Sequence, residues 1–171
     1  MKILSPSIFL LLFQFAFLPG FSQQLESLHC IKIGIPGATY SYEHALGKQF
    51  SMNMEAGVNL GWLNSNHNTT LLFRPILLIE PRFYYNVIRR HKEDRFINNS
   101  ASFFSISSGL IFDSFNLAES SAKVFIIPKW GFRRAMGNHF IFETQIGGGI
   151  EFGHGSSQFI PGLDIKFGYI F

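Results

Sequence analysis

The chain has 171 residues, a formal net charge of +3, 47% hydrophobic and 16% aromatic residues, and only 15% charged ones, against about a quarter in ordinary soluble domains. These values argue against a disordered chain and a solvated helical bundle, and so small and scattered a charge gives no sign of a nucleic-acid binder. A single Cys30 excludes an intramolecular disulfide framework and a cysteine-based zinc site.

Residues 1–22 read as a secretory signal peptide. Met1–Lys2 gives a short positive start, Ile8 to Pro19 is almost continuously apolar, and Gly20 and Ser22 are small residues where a signal peptidase reads them. Cleavage is expected after Ser22. The apolar run falls short of the ~20 residues that span a bilayer, and His29 before Cys30 is not the small residue of a lipoprotein site. Residues 23–171 form one domain. Five Phe fall within the leader (Phe9, Phe13, Phe15, Phe17, Phe21), so most of the 21 Phe belong to the domain.

Alternation of period two, the strand signal, runs through the domain. Residues 31–44 begin with Ile31, Ile33 and Ile35 on one face. After Pro36–Gly37 the apolar residues become Ala38, Tyr40 and Tyr42. This flip of phase predicts either a β-bulge or a hidden break, with 23–35 as a short extra strand. Over 49–63, Phe50, Met52, Met54, Ala56, Val58, Leu60 and Trp62 oppose Ser51, Asn53, Glu55, Gly57 and Asn59. Over 70–86, Arg74, Glu80 and Arg82 oppose Phe73, Leu77, Ile79 and Phe83. Pro75 and Pro81 there each remove a ladder hydrogen bond toward the same neighbour, which predicts a weak or bulged seam. Residues 86–99 form a longer basic turn carrying Arg89, Arg90, Lys92 and Arg95. Strands follow at 99–113, 121–134 (with Pro128), 139–152 and 158–171. The Gly147–Gly149 run lies within a strand rather than at a helix start, which speaks against phosphate cradling.

Strands of fourteen residues, tilted about 40°, rise roughly 35 Å and cross an apolar band of ~25 Å. Each has one face rich in Phe, Leu and Ile, and another bearing Gly and charges. The expected fold is all-β, a transmembrane antiparallel up-and-down β-barrel. Direct counting gives seven strands; the flip at Pro36 and the even strand numbers of bacterial barrels favour eight.

Glu43, Glu55, Glu80, Arg82, Lys129, Arg133, Glu143, Glu151 and Lys166 fall on the polar face. They are expected to fill the lumen as a satisfied ion-pair network, since buried charges must be paired and eight strands enclose just enough room for side chains. The alternative is a polar path through the lumen. No metal site or cofactor is expected, because the six His do not cluster at ligand spacing.

The run Asp164-Ile-Lys-Phe-Gly-Tyr-Ile-Phe171 resembles the terminal strand of small Gram-negative outer-membrane β-barrel proteins, porin-like or OmpA–OmpW-like. Glu80-Pro-Arg-Phe-Tyr-Tyr-Asn86 with its basic turn also looks like such barrels. The resemblance implies residence in the outer membrane, contact with its lipid and lipopolysaccharide, and recognition by the barrel-assembly machinery through Tyr169 and Phe171. His154-Gly-Ser156 looks like the His-x-Ser of outer-membrane lipid A deacylases, with His154 as base and Ser156 as nucleophile; an ordinary polar loop is the favoured reading. The expected role is structural, or limited binding and passage of small molecules. The alternatives are a lipid A-modifying hydrolase and a secreted soluble barrel that binds an apolar ligand.

Overall fold

The structure, a computed structural model, describes residues 25–65, 68–92, 96–113, 121–153 and 156–171. The proposed signal peptide, residues 1–22, lies outside them. Eight strands follow one another: β1 (Leu28–Ile35), β2 (Gly37–Ala45), β3 (Phe50–Ser65), β4 (Asn68–Tyr84), β5 (Ser102–Phe112), β6 (Ala122–Met136), β7 (Phe140–Gly153) and β8 (Ser156–Ile170). Each pairs antiparallel with its neighbour in sequence, and β1 pairs with β8, from Cys30↔Ile170 to Ile35↔Ile165, to close an up-and-down barrel.

The flip of phase at Pro36 is a break, not a bulge. Pro36 alone separates β1 from β2. On β1 the even positions Cys30 and Lys32 are buried; on β2 the odd positions Thr39, Ser41 and Glu43 are. The extra strand starts at Leu28 rather than at residue 23. A second departure from expectation lies in 86–99, where Val87–Lys92 forms a short helix, α1.

Pro75, Pro81 and Pro128 interrupt their ladders without inserting a residue. Pairing between β4 and β5 keeps one register from Ile76↔Ile111 to Tyr84↔Phe103, but stops short of Pro75 and skips Glu80 and Pro81. The β6–β7 ladder skips Ile127 and Pro128 in the same way. The weak seam expected at β4 is therefore present as missing rungs. Proline lacks the N–H that each rung requires.

The glycine run in β7 has a packing cause. A Cβ on Gly147 would stand 2.1 Å from the Pro128 carbonyl oxygen, and one on Gly149 2.0 Å from that of Ile126. The β6 backbone crosses β7 too closely for any side chain there.

Inside, the barrel is layered. At the end where β1 begins and β8 finishes, Leu25, Ala45, Tyr84, Val87, Ala101 and Phe103 form a buried apolar plug. Asn99, at φ 54°, ties residue 26 into it: Glu26 N–H donates to Asn99 Oδ1 and Asn99 Nδ2 donates to the Glu26 carbonyl, both at 2.8 Å. A charged layer fills the middle. Toward the opposite end Ile76, Ile111, Phe125 and Ile127 form a second apolar cluster, with Leu78 and Ile160 against it.

Candidate functional site

Alternation places the charges. Because successive side chains on a strand point to opposite faces, Lys32, Glu43, Glu55, Glu80, Arg82, Arg133, Glu143 and Lys166, drawn from β1, β2, β3, β4, β6, β7 and β8, all point inward and all are buried. Four carboxylates thus face four cations.

Glu143 is the hub. Its Oε2 accepts from Arg133 Nη2 at 2.6 Å, Arg133 Nε at 2.8 Å and Arg82 Nη1 at 3.0 Å. Its Oε1 accepts from Arg82 Nη2, Lys32 Nζ and Gln145 Nε2, each at 3.1 Å. Glu55 takes Lys32 Nζ at 2.6 Å and Asn53 Nδ2 at 3.0 Å on one oxygen, and Lys166 Nζ at 2.9 Å and the Thr39 hydroxyl at 3.0 Å on the other. Glu43 Oε1 accepts from the Ser51 hydroxyl at 2.6 Å and the Tyr84 hydroxyl at 2.7 Å, while Oε2 lies 2.7 Å from Arg133 Nη1. Glu80 accepts from Arg82 Nε at 2.5 Å and from the Ser107 hydroxyl. The Arg82 guanidinium also lies over the Phe103 ring, 4.6 Å from its centroid, so the charged layer rests directly on the terminal plug.

Seven of the nine residues singled out by alternation meet in this network. The other two lie toward the far end. Lys129 pairs with Asp164 at 2.6 Å. Glu151 accepts from Gln158 Nε2 at 3.0 Å and lies 3.5 Å from Lys123 Nζ. Lys32, Tyr84, Asn53 and Gln145 were not singled out. Lys32 was legible, as the residue opposite the Ile31–Ile33–Ile35 face; the neutral partners carry no charge to mark them.

This arrangement leaves little for chemistry to use. The carboxylates of Glu43, Glu55, Glu80 and Glu143 are engaged by cations and hydroxyls and buried from solvent, and paired charge of this kind fills space and fixes geometry. Nor does His154-Gly-Ser156 yield a described constellation. His154 lies outside the described residues, and the exposed Ser156 hydroxyl donates to the Gly153 carbonyl at 3.0 Å. Among the described residues no group of three or more His, Cys, Asp or Glu is placed to hold a metal ion.

The outer face is the inverse of the interior. Ile33, Phe73, Leu77, Ile79, Phe104, Ile106, Ile146, Phe159, Leu163 and Phe167 are all exposed there. Toward the terminal end it carries rings with polar tips. His29 stacks on Tyr42 at 4.6 Å and bonds the Tyr40 hydroxyl at 2.7 Å; His139 stacks on Tyr169; Trp130 Nε1 donates to the Tyr85 hydroxyl at 3.1 Å. Comparison with protein-family models, with curated proteins and with solved structures finds no match to this chain.

Proposed function

We propose that the chain is a small integral outer-membrane β-barrel with a filled lumen, whose role is structural with limited binding of small molecules. The observation that carries this reading is the inverted distribution of side chains: large apolar residues cover the outside of the wall while paired charges fill the inside. A soluble barrel buries its apolar face, and large exposed apolar surfaces are rare on soluble monomers. A barrel in lipid needs an apolar outer band with aromatic girdles and a closed wall that leaves no edge. The girdle is supported by the His29–Tyr40–Tyr42 and His139–Tyr169 groups, whose apolar bodies and polar tips suit an interface. Strands of 14 to 17 residues in β3, β4, β6, β7 and β8 are long enough to cross. The terminal Tyr169 and Phe171, both exposed on the outer face, suit recognition by a barrel-assembly machinery, and outer-membrane lipid and lipopolysaccharide are the expected surroundings.

Cell fractionation combined with gel mobility before and after heating tests the reading. The protein is expected in the outer-membrane fraction, extracted only by detergent, with the unheated form migrating faster. Recovery of the folded protein in the soluble fraction without detergent would overturn it and favour a secreted ligand-binding barrel.

A further inference from the structure

The barrel wall is uneven in height. β1 and β2 have 8 and 9 residues, whereas their outer neighbours β8 and β3 have 15 and 16. β1 pairs with β8 no higher than Ile35↔Ile165, and β2 with β3 no higher than Gly37↔Asn59. One further bond, from Leu60 N–H to the Pro36 carbonyl at 2.6 Å, ends the contact. Among the described residues, above it β8 is paired only with β7, and β3 only with β4. A notch therefore opens above Pro36, between these two strand edges.

The notch edge is adapted to being open. Ile170 N–H donates toward β7, to the His139 carbonyl, and Phe171 N–H toward β1, to the His29 carbonyl. The β7–β8 register runs unbroken from Phe140↔Tyr169 to Gly153↔Ser156, so the odd residues of β8 aim their backbone groups at the notch. Pro161 is one of them, and it has no N–H to leave unpaired.

Behind the notch lies a cavity of about 210 Å³. Its inner wall includes the Ile76, Ile111, Phe125 and Ile127 side chains, and it reaches Pro161 and Leu163 on the notch edge. Leu163 points outward and is exposed, so the cavity runs through the wall. Its lining also includes the charged Lys129, Asp164, Lys166 and Glu151. Each is partnered: Lys129 with Asp164 at 2.6 Å, Lys166 with Glu55 at 2.9 Å, and Glu151 with Gln158 at 3.0 Å, so the Ile and Phe side chains supply the apolar wall of the chamber. Leu60, Phe73 and Phe159 flank the opening on the outer face and are exposed, so the chamber is continuous with the apolar outer surface. Its volume lies below the ~300–1,000 Å³ of pockets that engulf whole drug-sized ligands, which suits one hydrocarbon tail without its headgroup.

We propose that the far-end lumen is a binding site for a single lipid acyl chain, which enters sideways through the notch above Pro36. The proposal rests on the membrane reading, since the bilayer supplies both the tail and the direction of entry. The test places the full-length protein, folded into vesicles of phosphatidylethanolamine and phosphatidylglycerol, with phosphatidylcholine that carries a diazirine at the end of one acyl chain. After photolysis, peptide mass spectrometry locates the adducts. Label is expected on inward-facing Ile111, Phe125 and Ile127 as well as on outward-facing Ile106, Ile126 and Phe167. In Ile127→Asp the inward label on Ile111 and Phe125 is expected to fall about tenfold, because the tail would have to share the apolar wall of the chamber with a carboxylate, while outward label is unchanged. Outward label without inward label in the wild-type protein overturns the acyl-chain site and leaves the membrane reading intact. Inward label that persists in the variant also overturns the site. Vesicles that yield no outward label overturn the membrane reading itself.

Discussion

At the scale of single residues, the interior turns on Glu143. Six donor atoms from four side chains converge on its two oxygens, so Glu143→Gln leaves Arg82, Arg133 and Lys32 with excess buried charge. Breaking a buried ion pair in this way costs about 3–5 kcal/mol. The half-exposed Arg74–Asp113 pair, at 2.9 Å, belongs to the class worth about 0–1 kcal/mol. Denaturant midpoints of the heat-modifiable form should therefore fall sharply in E143Q and barely in R74Q; equal shifts would contradict the hub. Ser156→Ala is expected to leave lipid A acylation unchanged by mass spectrometry, because the described environment of Ser156 is a loop bond to Gly153; altered acylation would revive the hydrolase alternative. That the polar face is the inner one is expected from the proposed signal peptide, the strand length and the Gly-rich, charged character of the face; which charges share that face was legible from parity. Which charge meets which was not, because Lys32 and Glu143 lie 111 positions apart, and their meeting depends on strand register and barrel closure.

At the scale of elements, strand legibility followed the side-chain period, and the exceptions have identifiable causes. The flip at Pro36 signalled a discontinuity, but period two reads the same whether a strand bulges or turns back on itself; only the pairing of Ile33 with Ala38 distinguishes them. The helix α1 has six residues and no acidic residue in its first turn, so neither periodicity nor a charge pattern announced it. Val87 is nonetheless fully buried in the terminal plug. The glycine and proline positions give two tests of opposite sign. Gly147→Ala forces a Cβ to within 2.1 Å of the Pro128 carbonyl oxygen and 2.9 Å of the Lys129 Cα, and should lower stability by about 1–3 kcal/mol, the range of overpacked sites. Pro81→Val keeps the outer face apolar and returns an N–H to the rung opposite Ile106. It should raise stability by up to about 1 kcal/mol, the net worth of one hydrogen bond. Urea titration in detergent micelles measures both, and a G147A protein as stable as wild type would refute the close-approach explanation.

At the scale of the whole molecule, the lumen is blocked twice: by the apolar plug around Tyr84 and Phe103 and by the charged layer above it. Planar bilayers holding the pure protein should therefore show no steady ionic steps; a reproducible open conductance would mean that the plug yields in lipid. The composition that first set this chain apart, much Phe and Gly with little charge, belongs to a barrel whose apolar face is turned outward. Parity sorted the residues into two faces, and the exposed Phe and Ile side chains show which of them faces out. The notch was not visible that way, because it depends on the mismatch between strand lengths and not on any residue type. The charged layer has one more consequence, and it concerns the order of events. Glu55 on β3 draws its two cations from β1 and β8, Lys32 and Lys166, and Glu143 on β7 reaches back to Lys32. No stretch of consecutive strands short of the full eight contains all of these partners. In the membrane proposed for this chain, a half-built sheet entering hydrocarbon would carry Glu55 without Lys166, so insertion and the zipping of β8 to β1 should proceed as one concerted event. On the proposed membrane reading the ion network acts as a timing device: it would make the partly assembled chain unwelcome in lipid and the finished one difficult to reopen.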